Sequence, residues 1–509
     1  MSLDLAAEVD EVLSVDADEF QAQAEADAEV VKSLLRDGAF DNHQSIVGLE
    51  YEFYAVSDGR WQADEDRACS LMRVPRRLLE LIGFEKELGL HNAEMTTSPQ
   101  PLNSHGLRAQ ESEVLARLTA ALSTTGAEGM RLVSDGLWTI PPAGETAREY
   151  LTDSVASGGV QIATNMSDAV RYHAMANGPT APDRFVLDAP NVHLEADTVL
   201  PESLITSIQP HYQVAHAADL PRYFNYAVRI AGPLLALAVN SPFFPPDLYD
   251  DADPETILAD AWDEHRVTVF ESVLNSGGRE KVRFPRDLDS VEQAVDRVAA
   301  DETMVPMPVE EGDRFDDRFA TLRTKHGTFW RWVRPVFDGA TRSSANARIE
   351  FRPLPAQPTV RDTVALQAAF AGLMESLPKR QHPVIDLDWE TAEENFYAAC
   401  RDGLESTQRW ITNDGSMTTD RETLYTELLD HAADGLEHAG LGPDEVAHFL
   451  DPLYRRVEAG QTPAGWKRAS VRRRLDDGAT FAAAVTGMQR EYVEKQAETL
   501  FDGTFADWV

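Results

Sequence analysis

An alternation of polar and apolar residues predicts a β-strand early in the chain. In the segment GLEYEFYAV, residues 48–56, Glu50 and Glu52 alternate with apolar or aromatic neighbours. Because successive side chains of a strand point to opposite faces, both carboxylates lie on one face. Two aligned carboxylates can hold a divalent cation. The other interpretation is a half-buried strand whose polar side faces solvent.

Two further strand-like segments carry polar residues of the same kind. The segment 86–98, KELGLHNAEMTTS, contains Glu94 and ends before a proline. In PNVHLEAD, the alternation places Asn191, His193 and Glu195 on one face. His193 is either a hydrogen-bonded structural residue of a strand or a ligand-binding one.

A late segment combines acidic and basic residues on one strand face. In ARIEFRPLPAQPT, residues 347–359, Arg348, Glu350 and Arg352 alternate with apolar residues. A carboxylate there can take a cation while neighbouring guanidinium groups take phosphate or carboxylate oxygens. The alternative is a cross-strand ladder of ion pairs. The preceding segment FWRWVRP adds Arg334 to the candidates.

Helical spacing dominates both ends of the chain. Residues 1–38 predict one or two acidic helices, with Ser14 as an N-cap. Between the ends, the order strand, strand, long helix, strand predicts an α+β fold with an antiparallel or mixed sheet. Residues 380–509 predict four or five helices, with breaks near 413–415, 440–443 and 460–463.

The charge of the chain excludes several classes of partner. The chain has 46 Lys and Arg against 86 Asp and Glu, a net charge of -40. This charge repels nucleic acid and anionic membrane surfaces, and it suits a salty cytoplasm. The two cysteines, Cys69 and Cys400, provide neither a disulfide framework nor a cysteine-rich metal site. Since no apolar run approaches the roughly 20 residues that span a bilayer, we expect a soluble cytoplasmic protein.

Six segments in their order and spacing resemble the glutamate-cysteine ligase family, in its carboxylate-amine ligase branch. The resemblance covers about residues 46–377 and implies a glutamine-synthetase-like fold, in which an antiparallel sheet with flanking helices forms a funnel. It divides the chain into an acidic helical extension (1–40), a catalytic domain (41–379) and an added helical C-terminal region (380–509). The segments are GLEYEF, AEMTTSP, NVHLEAD, LLALAVNSPF, FWRWVRP and RIEFRPLPAQPTVRDTVALQAAFAGLM.

The resemblance also implies a reaction and a set of site residues. Members of the family use ATP and Mg²⁺ to activate a γ-carboxylate as an acyl phosphate, which an amine then attacks. The substrates are then glutamate and an amine, with cysteine favoured. The implied metal ligands are Glu50, Glu52, Glu94 and Glu350; the implied catalytic residues are Arg334 and Arg352; the implied nucleotide-binding residues are His193 and Arg348.

Some alternatives stay open at this point. The amine acceptor can differ from cysteine, since loops set the acceptor pocket. A catalytically silent regulator that binds a nucleotide or amino acid would lack metal carboxylates, yet all four are present. A Rossmann enzyme is disfavoured because neither G-x-G-x-x-G nor G-x-x-x-x-G-K-[ST] occurs. Homo-oligomer formation is open.

One basic run stands out in this acidic chain. Residues 467–474 read KRASVRRR. They either form a solvated helix face paired with surrounding acids or provide a rim that offers arginine to the phosphates of ATP.

Overall fold

An antiparallel sheet lies at the centre of the fold. The computed structural model describes residues 2–58, 68–309 and 312–509. In these residues the strands form one seven-stranded sheet and three two-stranded hairpins. The strands are β1 (Ile46–Ser57), β2 (Asn92–Thr96), β3 (Gln100–Pro101), β4 (Met130–Val133), β5 (Ser154–Ser157), β6 (Val160–Ala163), β7 (Phe185–Ala189), β8 (Val192–Ala196), β9 (Ile208–Gln213), β10 (Val333–Asp338), β11 (Asn346–Phe351), β12 (Trp410–Ile411) and β13 (Met417–Thr418).

The large sheet is organised around its longest strand. Its order is β10-β11-β9-β1-β2, and β3 and β4 also pair with β1. Each of these pairings is antiparallel. The prediction of an α+β fold with an antiparallel sheet is confirmed. The predicted strand around His193 is present as β8, but it pairs with β7 in a separate hairpin.

Helices surround the sheet and form both ends of the chain. Among the described residues, no helix is long and apolar enough to cross a bilayer. The helices are α1 (Ser2–Leu13), α2 (Ala17–Arg36), α3 (Arg76–Ile82), α4 (Ser104–Ala127), α5 (Ala147–Thr152), α6 (Val170–Met175), α7 (Leu220–Ala238), α8 (Pro254–Asp260), α9 (His265–Leu274), α10 (Val291–Ala299), α11 (Ala320–His326), α12 (Val360–Arg380), α13 (Trp389–Asp402), α14 (Arg421–His438), α15 (Pro443–Ala459), α16 (Pro463–Asp476) and α17 (Phe481–Thr499).

The apolar face of the sheet packs against helices. Leu49, Tyr51 and Phe53 of β1 are buried, and their face meets a layer that includes α7 and α12. Full burial of such a side chain contributes about 1.5–3 kcal/mol. The Tyr51 hydroxyl donates to Ser134 Oγ at 2.7 Å, so its polar end is satisfied inside the core. The opposite face of the sheet is therefore the one that is open to polar chemistry.

The predicted N-cap at Ser14 is wrong, and local hydrogen bonds show where two helices begin. Ser14 Oγ donates to Glu11 O at the end of α1. The N-cap of α2 is Asp16, whose Oδ1 accepts hydrogen bonds from the backbone N–H groups of Asp18 and Glu19, each at 2.9 Å. Residues 254–274 form two helices, α8 and α9, with a break between them. The backbone of Glu264 forms a parallel β-bridge with Ser241 instead of continuing the helix. Its side chain accepts a hydrogen bond from Arg266 N and so caps the start of α9.

The C-terminal helices pack on the same core as the sheet. One hydrophobic cluster contains buried residues from α1 through Trp508. Helix α14 packs along α12, and α13 packs along α7. These contacts place the C-terminal helices directly behind the apolar layer of the sheet.

The basic run 467–474 lies on α16, where it is used in internal contacts. The Lys467 ammonium is buried; it forms an ion pair with Asp135 and donates to Asn240 O at 2.7 Å. Arg468 donates to backbone carbonyls that include Ala261 O at 2.6 Å. The contacts of Lys467 and Arg468 favour a structural role for this part of the run.

We expect Lys467→Met to lower the free energy of unfolding by about 3–5 kcal/mol, because it leaves the Asp135 carboxylate buried without its partner. The control Arg472→Met breaks an exposed pair with Glu255 at 3.5 Å on the same helix and should cost at most about 1 kcal/mol. Urea unfolding of both variants measures the difference. Equal losses in the two variants would contradict the assignment.

Candidate active site

The polar face of the sheet carries a row of charged and amide side chains from five strands. Register fixes the neighbours: Glu52 lies opposite Glu94, Glu50 lies opposite Gln209, and Glu350 lies between Arg334 and His211 on the adjacent strands. Directly opposed residues share a face. The residues of this face are Glu94 on β2, Glu50 and Glu52 on β1, Gln209 and His211 on β9, Arg348, Glu350 and Arg352 (just after the strand end) on β11, and Arg334 on β10.

Two adjoining cavities cover this face. The larger, of about 300 Å³, is lined by Glu50, Glu52, Glu94, Arg334 and Arg352 among others. The smaller, of about 180 Å³, shares Glu50 and Arg334 with it and adds the side chains of Arg348 and Glu350. The structure thus brings together seven of the eight site residues selected from the sequence.

His193 is the one candidate that the structure places elsewhere. It lies on the β7–β8 hairpin, half exposed, and does not line either cavity. Its ring nitrogens lie 3.7 Å from an oxygen of Asp188 and 3.6 Å from an oxygen of Glu195. The alternation that selected it reflects the exposed side of a hairpin.

Glu52 is held by hydrogen bonds at both carboxylate oxygens. Ser207 N donates to Oε2 at 2.6 Å, and Gln209 Nε2 donates to Oε1 at 2.9 Å. Burial raises the pKa of Glu52 to about 7, and the charge of Glu87 adds to this effect. The carboxylate is therefore fixed in position but only partly ionised near neutral pH.

Further carboxylates crowd the same cavity. Burial and then the negative charges of Glu50 and Glu87 raise the pKa of Glu94 well above its ordinary value. Burial, with the charges of Glu87 and Glu52, raises the pKa of Glu202 to about 8. Carboxylates with raised pKa values release protons when a cation arrives, because the cation stabilises the ionised form. This donor set of oxygen atoms fits Mg²⁺.

Glu350 has the opposite electrostatic environment. Burial acts to raise its pKa, but Arg334 and Arg352 outweigh that effect and hold the pKa well below its ordinary value. The Oε1 atom lies 2.8 Å from Arg334 Nε and 2.6 Å from Arg352 Nη1. Both arginines contact the same oxygen, which leaves Oε2 for a cation.

Arg352 connects the two charged regions of the face. Its Nη1 also donates to Gln209 Oε1 at 2.6 Å, and Gln209 in turn donates to Glu52. Its buried Nε has no hydrogen-bond partner among the described residues. A buried donor without a partner is costly, so this atom is suited to an anionic ligand.

Arg348 and Glu50 lie on opposite sides of a histidine ring. Arg348 Nε donates to His211 Nδ1 at 3.1 Å. Nε2 of the same ring lies 3.1 Å from Glu50 Oε1, although it makes no hydrogen bond with the described residues. Arg348 is itself paired with Asp338 at 2.6 Å. The His211 ring therefore lies between the guanidinium of Arg348 and the carboxylate of Glu50.

Sequence reasoning missed β9 and several cavity residues. In IQPHYQ, polar Gln209 and His211 alternate with apolar residues, which was a usable strand signal. Pro210 counts against a central strand because it lacks an N–H donor. Glu87, Glu202 and Arg266 also act on the cavity carboxylates, but they lie outside the strands of the sheet.

Comparison with known proteins gives a family match over most of the chain. The family model described as glutamate-cysteine ligase family 2 matches residues 46–499, well beyond the segment 46–377 that carries the resemblance in the sequence. Among curated proteins, no sequence match is found.

Two solved structures are similar to the chain. A crystal structure of glutamate-cysteine ligase from Francisella tularensis in complex with AMP has a TM-score of 0.52 at 12% identity and covers 92% of both chains. It shows that the two proteins share a fold. A crystal structure of a bifunctional glutathione synthetase from Pasteurella multocida has a TM-score of 0.49 at 12% identity, and the match covers 91% of this chain and 54% of that one.

We expect Glu202→Gln to change how stability depends on pH in metal-free protein. The pKa of Glu202 rises from 4.5 to about 8 on folding, so between these values the folded state binds a proton that the unfolded state has lost. The free energy of unfolding therefore falls as pH rises through this window. The free energy of unfolding of the variant should fall less steeply over the same pH range. Chemical unfolding from pH 4.5 to 8 measures both curves, and parallel curves would contradict the placement.

Proposed function

The chain belongs to the glutamate-cysteine ligase family 2, and we propose that it uses ATP to join the γ-carboxylate of glutamate to an amine, with cysteine as the favoured acceptor. The single observation that carries the proposal is the charge arrangement on one sheet face. Crowded carboxylates lie around Glu52 and Glu94, and paired arginines lie around Glu350. Both groups line the same cavity.

The proposed reaction has two balanced steps. A γ-carboxylate oxygen attacks the terminal phosphorus of ATP, forming an acyl phosphate as the bond to ADP breaks. The amine nitrogen then attacks the carbonyl carbon, phosphate leaves with the bonding electron pair, and the nitrogen loses a proton. The first step brings several anions together, so it needs cationic groups at fixed positions.

The carboxylate-rich end of the face is suited to Mg²⁺. Glu50, Glu52 and Glu94 would hold the metal, with Oε2 of Glu350 as a further ligand. Bound Mg²⁺ supplies charge neutralisation between the phosphate groups. Glu52 is already oriented by hydrogen bonds from Ser207 and Gln209. Such second contacts fix the ligands before the metal arrives.

The arginine-rich end of the face is suited to the phosphates or the carboxylate of the substrate. Arg334 and Arg352 keep their charge while buried, because Glu350 balances it. The unpartnered Nε of Arg352 gives one donor for a substrate oxygen. The pairing with Glu350 also fixes the guanidinium planes, so little conformational entropy is lost when a ligand binds.

The smaller cavity provides apolar surface for the base of ATP. Its walls include Val295, Val298 and Leu322 from α10 and α11, together with Val31 from α2. Arg348 lies at its polar side. In this arrangement the helical extension 1–40, which precedes the family match, would help to enclose the nucleotide.

The finer features of the fold are part of the same proposal. The sheet face with its two cavities would be the wall of a glutamine-synthetase-like funnel. The catalytic domain would span 41–379, and the helices of 380–509 would support it through α12 and α7. The acidic composition suits an enzyme that works in a salty cytoplasm.

We expect purified protein to release ADP from ATP and Mg²⁺ only when both glutamate and an amine are present. Cysteine should give the highest kcat/KM in a panel of amines, and mass spectrometry should detect a γ-glutamyl product. If another amine gives the highest kcat/KM, the ligase reaction is supported but cysteine is not the acceptor. ATP binding by calorimetry without any turnover would replace the ligase by a silent nucleotide-binding protein.

Glu52→Gln should lower the rate of ADP formation at least about 100-fold, because it removes a proposed metal ligand whose position is fixed by two hydrogen bonds. Glu195→Gln, on the exposed β8 strand, is the matched control and should retain the wild-type rate. Added Mg²⁺ should partly restore the first variant. Equal activity of the two variants would exclude Glu52 from the site.

We expect His193→Gln to leave the KM for ATP unchanged. His193 lies on the exposed side of the β7–β8 hairpin and lines neither cavity over the sheet. Steady-state kinetics at saturating glutamate and cysteine test this expectation. A clear rise in the KM for ATP would contradict this expectation and indicate that His193 contacts the nucleotide.

A further inference from the structure

A separate polar cavity lies among the C-terminal helices. It has a volume of about 690 Å³ and lies against α14. Arg380 is the only lysine or arginine among its lining residues. A cavity lined by one sign of charge raises the local concentration of counter-ions, here cations. Its acidic lining residues are Asp420, Glu422, Glu427, Asp430 and Asp434.

Two residues of α14 present ligand atoms at this cavity. Glu427 and His431 are four residues apart, so they lie on the same face of the helix one turn from each other. Together with His382, they bring ligand atoms within 4.8 Å of one another. His382 follows α12, and the cavity also borders Asn413 of the β12–β13 hairpin.

The hydrogen bonds of His431 determine which ring nitrogen is free. Ser376 Oγ donates its single proton to Asp434 Oδ2 at 3.0 Å. Ser376 Oγ must therefore accept the proton of His431 Nδ1, which is 3.0 Å away. With the proton on Nδ1, a neutral His431 ring carries its lone pair on Nε2.

His382 orients the carboxylate of Glu427 instead of binding a metal itself. Its Nδ1 accepts the Val384 N–H at 3.0 Å, so the proton of the neutral ring is on Nε2. That proton is donated to Glu427 Oε1 at 2.6 Å. A hydrogen bond of this kind, from a neighbouring side chain to a carboxylate oxygen, orients carboxylates that bind metals. It leaves Glu427 Oε2 for another partner.

Asn413 completes the arrangement from the hairpin. Its Oδ1 lies 3.0 Å from His431 Nε2. In the neutral tautomer that donates from Nδ1, both atoms are hydrogen-bond acceptors, so they do not stabilise each other directly. Two ligands at about 2.1 Å from one metal ion lie about 3.0–3.4 Å apart at octahedral or tetrahedral angles. The observed separation matches such a pair.

We propose that His431 Nε2, Glu427 and Asn413 bind a divalent transition-metal ion that joins the β12–β13 hairpin to α14, with His382 and Ser376 as positioning residues. A site with one imidazole and two oxygen ligands prefers such an ion to Ca²⁺ or Mg²⁺. The ion stabilises the C-terminal helices and takes no part in the ligase reaction. The proposal does not depend on the proposed function.

Zn²⁺ binding to the full chain tests the proposal. Protein freed of metal with a chelator is titrated with Zn²⁺ by calorimetry in excess Mg²⁺, because Mg²⁺ occupies the carboxylate sites of the sheet but competes poorly for imidazole. We expect one Zn²⁺ per chain and a higher melting temperature. Ca²⁺ in place of Zn²⁺ should give neither effect. A Co²⁺ titration should show absorption bands of a nitrogen-ligated ion.

Three variants and one control distinguish this site from others. Glu427→Gln and His431→Gln should each weaken Zn²⁺ binding at least about 10-fold, and exposed Asn413→Ala should weaken it without affecting the metal-free fold. His438→Gln, which removes an exposed histidine from the same helix, should bind as wild type does.

The proposal would be overturned in three ways. The first is wild-type protein that binds no Zn²⁺ in excess Mg²⁺. The second is an unchanged affinity in Glu427→Gln and Asn413→Ala. The third is a wild-type crystal structure at saturating Zn²⁺ in which the Asn413 amide has rotated to donate to His431 and no metal is bound.

Discussion

Repulsion among carboxylates packed over one face of the sheet is the constraint on which the rest of the site depends. Burial and mutual charge raise the pKa values of Glu52 and Glu202 to about 7 and about 8. Such a cluster is tolerated because some of its members stay protonated in the absence of metal. As pH rises these members lose their protons, and the free energy of unfolding falls. A fold that keeps this arrangement needs stabilisation elsewhere, and the apolar face with its layer of helices supplies it.

The charges on the face are separated along the strand order. The carboxylate side is β1 and β2, the arginine side is β10 and β11, and β9 lies between β1 and β11. Gln209 contacts Glu52 on one side and Arg352 on the other. His211 does the same for Glu50 and Arg348. The amide and imidazole side chains of β9 thus lie between the carboxylates of β1 and the arginines of β11.

The period of two in GLEYEF and ARIEF predicted the strands and the shared face of their charged residues, because alternation is a local property. It could not predict that the two strands lie one strand apart, since β9 lies between them and its Pro210 obscured the pattern. The same alternation selected His193, whose hairpin pairs away from the main sheet. Residues such as Glu87 and Glu202 reach the cavity through long-range packing, which no local pattern contains. Helix ends depended on a few local side-chain hydrogen bonds, as at Asp16.

Composition alone is a poor guide to where cations bind in this acidic chain, because its carboxylates lie in unlike environments. At Asp316, burial acts to raise the pKa, but hydrogen bonds from Arg314 and the Gly339 N–H, together with Arg323, hold it at about 2. Glu202 has too little positive charge nearby to offset burial and repulsion, and its pKa is about 8. The first carboxylate is already neutralised by the protein, so an added cation would gain little there. The second environment lacks compensating positive charge, so a bound cation would stabilise the ionised carboxylate there, and it occurs where the polar face of the sheet meets the cavity.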